Sequence, residues 1–431
     1  MKKHIRTFYR LTLILASWMI CLTAYADTLA EKLHSLPSIS KIENLQSEDQ
    51  LEKLVCCITQ QLDWQDKGAG EFNQRIILKH RGFNKPTVMV TEGYGAAYAL
   101  NPNFREELST LLDANLVFVE HRYFLESTPI PCNWDYLTVA NSAGDYHHIR
   151  HVLGQIYPGK WFTTGISKGG QTTLFYRTFY PNDVDGSVAY VAPLNKSVED
   201  GRHEPFLKNI SNKEACKAVR NFQLQVLKRR ATIQSMFEKY CREKEYIFRV
   251  PMNEVFDLCV LEYEFSFWQW GNDYRQIPTA DASDEVLFRC LLKACEPNYF
   301  SPTHSSTPFN VQAMREIGYY GYDMEPFKDL LTIERTEGYM RRVMIPAPLQ
   351  YIEFDTSLYE KVNKFLADED VPMIFIYGEN DPWTATGMTW LKGKKNMHVF
   401  VEPGGSHRAR VATMPEKTQK QIKNILVDWM K

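Results

Sequence analysis

The sequence predicts a doubly wound α/β sheet with a helical segment inserted between its strands. Three observations carry this. Short runs that are apolar on both faces recur along the chain, as strands covered by helices on both sides require. Helix-forming stretches alternate with those runs. The alternation stops near residue 195 and resumes after residue 346.

The expected strands are residues 74–80 (QRIILKH), 86–92 (PTVMVTE), 115–121 (NLVFVEH), 161–166 (WFTTGI) and 187–192 (SVAYVA), then 372–378 (PMIFIYG) and 397–402 (MHVFVE). Helices are expected around 103–113, 139–153, 168–180, 358–367 and 416–430. Residues 196–345 are rich in helix formers and aromatics. They read as a helical cap inserted into one catalytic domain made of residues 27–195 and 346–431, because strands resume after them.

Residues 1–26 read as a leader. A basic start (MKKHIRTFYR) precedes an apolar run (LTLILASWMICLTAYA) that ends in the small-x-small pattern Ala24-Tyr25-Ala26. This is the pattern of a cleaved secretory signal, with the cut expected before Asp27. The expected location is secreted or periplasmic, with no stable membrane anchor after cleavage. No later run is long and apolar enough to span a bilayer. Lys and Arg number 50 against 52 Asp and Glu, a net charge of -2. Such a balance offers no footing for nucleic acid. Oligomeric state is not written in the sequence.

Nine cysteines are present, and Cys21 lies in the leader. The other eight are Cys56, Cys57, Cys132, Cys216, Cys241, Cys259, Cys290 and Cys295. An even number in an exported chain suggests disulfides, in any of 105 pairings.

The stretch TTGISKGGQTTLFYRTFYP places Ser167 in G-x-S-x-G, after an expected strand and before an expected helix. That context marks a nucleophile on a sharp strand-to-helix turn. Gly165 and Gly169 let the backbones of that turn come close. An acid and a histidine are then required later in the chain, each just after a strand. FIYGENDPW supplies Asp381, with Glu379 as an alternative in the same loop, and VFVEPGGSHRAR supplies His407. The order Ser167, Asp381, His407 fits a serine hydrolase in which His407 is the base and Asp381 orients it. Lys168, next after the nucleophile, is the first backbone donor expected in the oxyanion hole; TEGYG offers Gly93 or Tyr94 as the second. No metal or organic cofactor is needed for this chemistry. His147 and His151 fall at i, i+4, but no H-E-x-x-H glutamate accompanies them, so no metal is expected.

Several of these stretches resemble one family. QQLDWQDKGAGEFNQRIILKH and EHRYFLESTPIP resemble segments of the prolyl carboxypeptidase and dipeptidyl-peptidase serine exopeptidases. TEGYG, G-x-S-K-G-G, YGENDPW and GG-x-H are together similar to the motifs of their bacterial relatives, the secreted tripeptidyl aminopeptidases. The likeness runs from about residue 51 to 415. Leu125 departs from it, since relatives usually carry glycine or another small residue after EHRYF. The resemblance implies an α/β-hydrolase core under a helical cap, the triad Ser167, Asp381 and His407, and removal of short peptides from a free N-terminus. No motif separates release of tripeptides from release of dipeptides.

An exopeptidase of that kind needs a carboxylate for the substrate's α-ammonium. Glu262 and Glu264, in the cap stretch LEYEFSFWQWG, are the candidates, with Glu92 as a third. Phe267, Trp268 and Trp270 beside them are expected to wall the pocket. The rival functions are an esterase or lipase on the same core and a non-catalytic binding protein that has kept the fold.

Overall fold

The computed structural model describes residues 28–431, so the leader falls outside the described residues. The chain opens with helix α1 (Leu29–His34), whose first turn is closed by a reciprocal Thr28–Glu31 capping box. Strands β1 (Ile39–Leu45), β2 (Glu52–Gln61), β3 (Glu71–His80) and β4 (Thr87–Thr91) follow, then α2 (Glu107–Leu111) and β5 (Asn115–Val119). Next come α3 (Val139–Leu153), β6 (Trp161–Ile166), α4 (Lys168–Phe179) and β7 (Gly186–Tyr190). The inserted helices are α5 (His203–Leu207), α6 (Lys213–Lys228), α7 (Arg230–Glu243), α8 (Met252–Gln269), α9 (Asp284–Ala294) and α10 (Thr307–Gln312). The chain returns through α11 (Ser357–Asp368), β8 (Met373–Gly378), β9 (Met397–Glu402) and α12 (Glu416–Met430).

The strands form one sheet in the order β1-β2-β3-β5-β4-β6-β7-β8-β9. β1, β2 and β3 run antiparallel, as do β3 and β5, and the pairs from β5 to β9 are parallel. Alternate side chains feed opposite faces, as the period of a strand dictates. On β6, Trp161 packs with Tyr146 and Ile149 of α3, while Phe162 packs with Ile422 and Leu426 of α12. Both faces are therefore covered, as the doubly apolar strands required. The expected strands and long helices are all present, and the fold is that of an α/β-hydrolase.

Two strands were not expected. β1 (ISKIENL) is a half-exposed edge strand with no apolar run, and β2 (EKLVCCITQQ) ends in polar residues. They extend the sheet by antiparallel pairing, β2 with β3 and β1 with β2. The helix expected over 103–113 shortens to α2, because Glu106 caps it by accepting from Leu108 and Ser109 N–H. The disulfides are a correction: all eight described cysteines are free thiols. Cys56 and Cys57 are neighbours on β2, where consecutive side chains point to opposite faces and Cys56 enters the core. Cys241, Cys259 and Cys295 are buried in the cap as small apolar groups, and burial pushes the Cys241 thiol up to about 12.

α8 is buried along most of its length, and its core continues downward to Phe375, Tyr377 and Trp383 at the end of β8. The loops after β4, β6, β8 and β9 meet beneath it.

Candidate active site

Ser167 stands between β6 and α4 with φ 58° and ψ -121°, a left-handed conformation that a serine adopts only when its surroundings impose it. Its N–H donates to Tyr190 O at 2.9 Å. The turn is closed so tightly that a Cβ on Gly165 would lie 2.2 Å from Gly169 O. Lys168 is the first residue of α4, where a backbone N–H has no partner within the helix. That N–H and the helix dipole favour negative charge beside Ser167. Gly93 lies against the same helix start: a Cβ there would sit 2.7 Å from Gly169 N.

His407 Nδ1 and Asp381 Oδ2 are 2.7 Å apart, both side chains buried. The other Asp381 oxygen accepts from Trp383 N–H at 3.2 Å, which fixes the carboxylate in its turn. Glu379, the alternative acid, points elsewhere and accepts from Gly404 N–H. His407 Nε2 is buried and has no hydrogen-bond partner among the described residues, Ser167 Oγ included. The imidazole thus keeps one nitrogen for Asp381 and leaves the other open to the cavity that Ser167 also lines. Nucleophile–base contacts are often loose before substrate arrives.

Two cavities meet at Ser167. One, of about 290 Å³, runs under the cap past Tyr94, Lys168, Gln269, Trp270, Phe309 and Trp383 to Glu262. The other, of about 900 Å³, opens past His407, Arg408, Arg410, Tyr98, Phe124 and Leu125. On the wall of the first, Glu262 accepts from Ser266 Oγ, Tyr320 OH and Tyr322 OH. Burial outweighs those three donors and pushes its carboxyl up to about 7.

Residues 24–431 match the family described as PS-10 peptidase S37, which is nearly the whole chain. The chain belongs to the PS-10 peptidase S37 family. It is a serine peptidase. The peptidase is 28% identical over 423 residues to the prolyl tri/tetrapeptidyl aminopeptidase of Streptomyces mobaraensis, spanning 95% of this chain and 86% of that protein. It is 29% identical over 139 residues to the human lysosomal Pro-X carboxypeptidase, covering 28% of each. Among solved structures, the proline iminopeptidase of Mycobacterium smegmatis overlays with a TM-score of 0.40 at 14% identity, covering 90% of this chain and 99% of that one.

The other residues singled out from the sequence of this peptidase separate by helix phase. α8 turns about 100° per residue, so Glu262, Ser266 and Gln269 share one side and face the smaller cavity. Glu264 is on another side, in a pocket with Lys208, Arg220 and Asp323, and does not reach the site. Burial raises its carboxyl to about 7. Phe267 packs against Tyr263 inside the cap, and Trp268 is buried with its Nε1 unpartnered among the described residues. These three residues leave the list of pocket-lining groups. Trp270, at the end of α8, does line both cavities, its ring edge-on to His407 at 6.1 Å between centroids.

Glu92 faces the larger cavity, away from Glu262, and accepts from Tyr98 OH at 2.8 Å. Burial raises its carboxyl, which favours the neutral form close to the expected oxyanion donors. Tyr94 lines both cavities, and its ring lies 5.8 Å from Lys168 Nζ. Lys168 is itself buried, and desolvation lowers its ammonium to about 7 against the pull of Glu92 and Glu316. Tyr320 and Tyr322 were not expected. They come from an irregular stretch whose only signal is its run of aromatics, Tyr319, Tyr320 and Tyr322.

Proposed function

We propose that the peptidase is an exported aminopeptidase releasing short peptides, three residues at a time, from a free N-terminus. In this reading Ser167, His407 and Asp381 are the triad. The domain division stands with it: residues 27–195 and 346–431 carry the chemistry, and 196–345 cap it. The observation that carries the reading is the smaller cavity, which is lined both by Ser167 and by the buried carboxylate of Glu262.

His407 Nε2 takes the Ser167 proton as Oγ attacks the scissile carbonyl carbon. Asp381 holds the imidazole and balances its positive charge. The oxyanion rests on Lys168 N–H and on Gly93 or Tyr94 N–H. His407 then returns the proton to the leaving amine, and water releases the acyl group by the same steps in reverse roles. Glu262 takes the substrate's α-ammonium, whose arrival removes the isolation that keeps the carboxyl protonated. Chain length is then set by the distance from Ser167 to the Glu262 carboxylate. The aromatic walls Tyr94, Phe309, Tyr319 and Trp383 suit a flat apolar ring before the scissile bond, in keeping with the prolyl preference in the Streptomyces relative's name. The basic-apolar-small pattern of residues 1–26 supports export.

The test is digestion of matched free and N-acetylated peptides by the mature protein, read by mass spectrometry, with Ser167→Ala alongside. Loss of three residues at a time from free peptides only, and none with Ser167→Ala, is the expected result. Loss of two residues moves the activity to a dipeptidyl one. Cleavage of acyl esters but of no peptide overturns the exopeptidase reading.

A further inference from the structure

Away from the active site, α3 carries His147 and His151 one helical turn apart, with ring centroids 4.3 Å apart at 76°. Asp183 arrives from the turn between α4 and β7, with Oδ2 2.7 Å from His147 Nδ1. One ring nitrogen of each histidine and one Asp183 oxygen lie within 4.8 Å of one another. We propose that His147, His151 and Asp183 form a binding site for a divalent transition metal, zinc by its ligand chemistry, with water completing the coordination.

Two imidazoles and one carboxylate are borderline donors that suit zinc, copper or nickel better than magnesium or calcium. Tetrahedral zinc holds such donors about 3.3 Å apart, given metal–ligand distances of about 2.0–2.1 Å. The cluster therefore has to contract, and the exposed His151 ring is free to turn inward. The other two ligands are already held. Tyr176 OH donates to Asp183 Oδ2 at 2.7 Å, and Tyr180 stacks on His147 at 4.1 Å and 12°. Outer partners of this kind fix ligand orientation at metal sites. The nearby positive charge is directed elsewhere: Arg150 Nε donates to Asp183 backbone O, and its guanidinium lies over the Trp161 ring. A structural fastening of His147 to Asp183 accounts for two of the three residues. It leaves unexplained why His151, which hydrogen-bonds nothing among the described residues, holds a ring nitrogen within 4.8 Å of the other two donors.

The site ties the far end of α4, the helix that begins beside Ser167, to α3. Metal at this point stabilises the fold and leaves the chemistry alone. The experiment is zinc titration of the chelator-stripped full mature chain, by calorimetry and by thermal unfolding, for wild type and His151→Ala. Wild type is expected to bind one zinc ion that His151→Ala does not, and to melt several degrees higher with zinc in hundredfold excess over its Kd. His151→Ala is expected to keep the metal-free melting temperature and the peptidase turnover. Copper(II) at the wild-type site is expected to show two nitrogen ligands by paramagnetic resonance. Failure of wild type to bind zinc at tens of micromolar, or equal binding by His151→Ala, overturns the proposal.

Discussion

At Glu262 three hydroxyls surround a buried carboxylate, and no cation pairs with it among the described residues. Replacing it by glutamine keeps the shape and removes the charge. We expect Glu262→Gln to lower kcat/KM on free-N-terminal peptides by about 100-fold, in line with the roughly 3 kcal/mol lost when one partner of a buried ion pair is removed. Turnover of an uncharged acyl ester should hardly change. The pH profile follows from the same group. Glu262 must be ionised to take an ammonium, which its value of about 7 allows only from there upward. The α-ammonium of the substrate is lost above about 8. Peptide cleavage should therefore peak between these limits, and Glu262→Gln should lose the part of the acid limb that ester turnover does not share. Gly165→Ala should give insoluble protein, because its methyl would meet a backbone oxygen that cannot move without opening the turn. That Ser167 and the Asp381–His407 pair stand at one cavity was legible because each follows a strand in a fixed order. Tyr320 and Tyr322 were not, because nothing periodic marks a loop residue that reaches a site through tertiary contact.

α8 shows what the scale of a single element adds. The stretch 262–270 at its end offers two glutamates and five large aromatics in nine residues, and composition does not rank them. Helical phase does: one side receives Glu262, Ser266 and Gln269, and Glu264 goes to a pocket of its own. Glu264 thereby becomes a stability residue. Its carboxyl has a folded value of about 7, above its ordinary 4.5, with burial the main cause. Such a group weakens the fold once ionised, fully above about pH 7 and not at all below about 4.5. Glu264→Gln should raise the melting temperature over wild type at pH 8 and leave it nearly unchanged at pH 4.5. A gain of equal size at both pH values would show that its charge is not what matters. β1 escaped the sequence reading for a related reason. Its stability comes from pairing with β2 at an edge, so half of its residues stay polar.

Over the whole molecule, the seven strands from β3 to β9 could be placed along the chain in advance because covered parallel strands are apolar on both faces, whereas their order in the sheet was not written in the sequence. Cysteine pairing could not, since an even count says nothing about where tertiary structure puts each sulfur. The free thiols predict that alkylation of the unfolded, unreduced mature protein will label all eight cysteines from Cys56 to Cys295, and that reductant will not lower the melting temperature. Labelling of six or fewer would mean that the cap or sheet closes a bridge after folding.

A contact joins the cap to the sheet domain at the candidate site: His407 N–H donates to Gln269 O, the last residue of α8. The roof over the cleft is thus also a bearing for the imidazole. A roof of this kind cannot swing wide to admit a bulky guest without unseating the His407 imidazole beneath it. Material must be threaded through the side opening, one extended strand at a time. On the proposed function, the protein would then work as a sieve for loose chain ends, and a folded protein whose terminus is tucked away would pass by untouched.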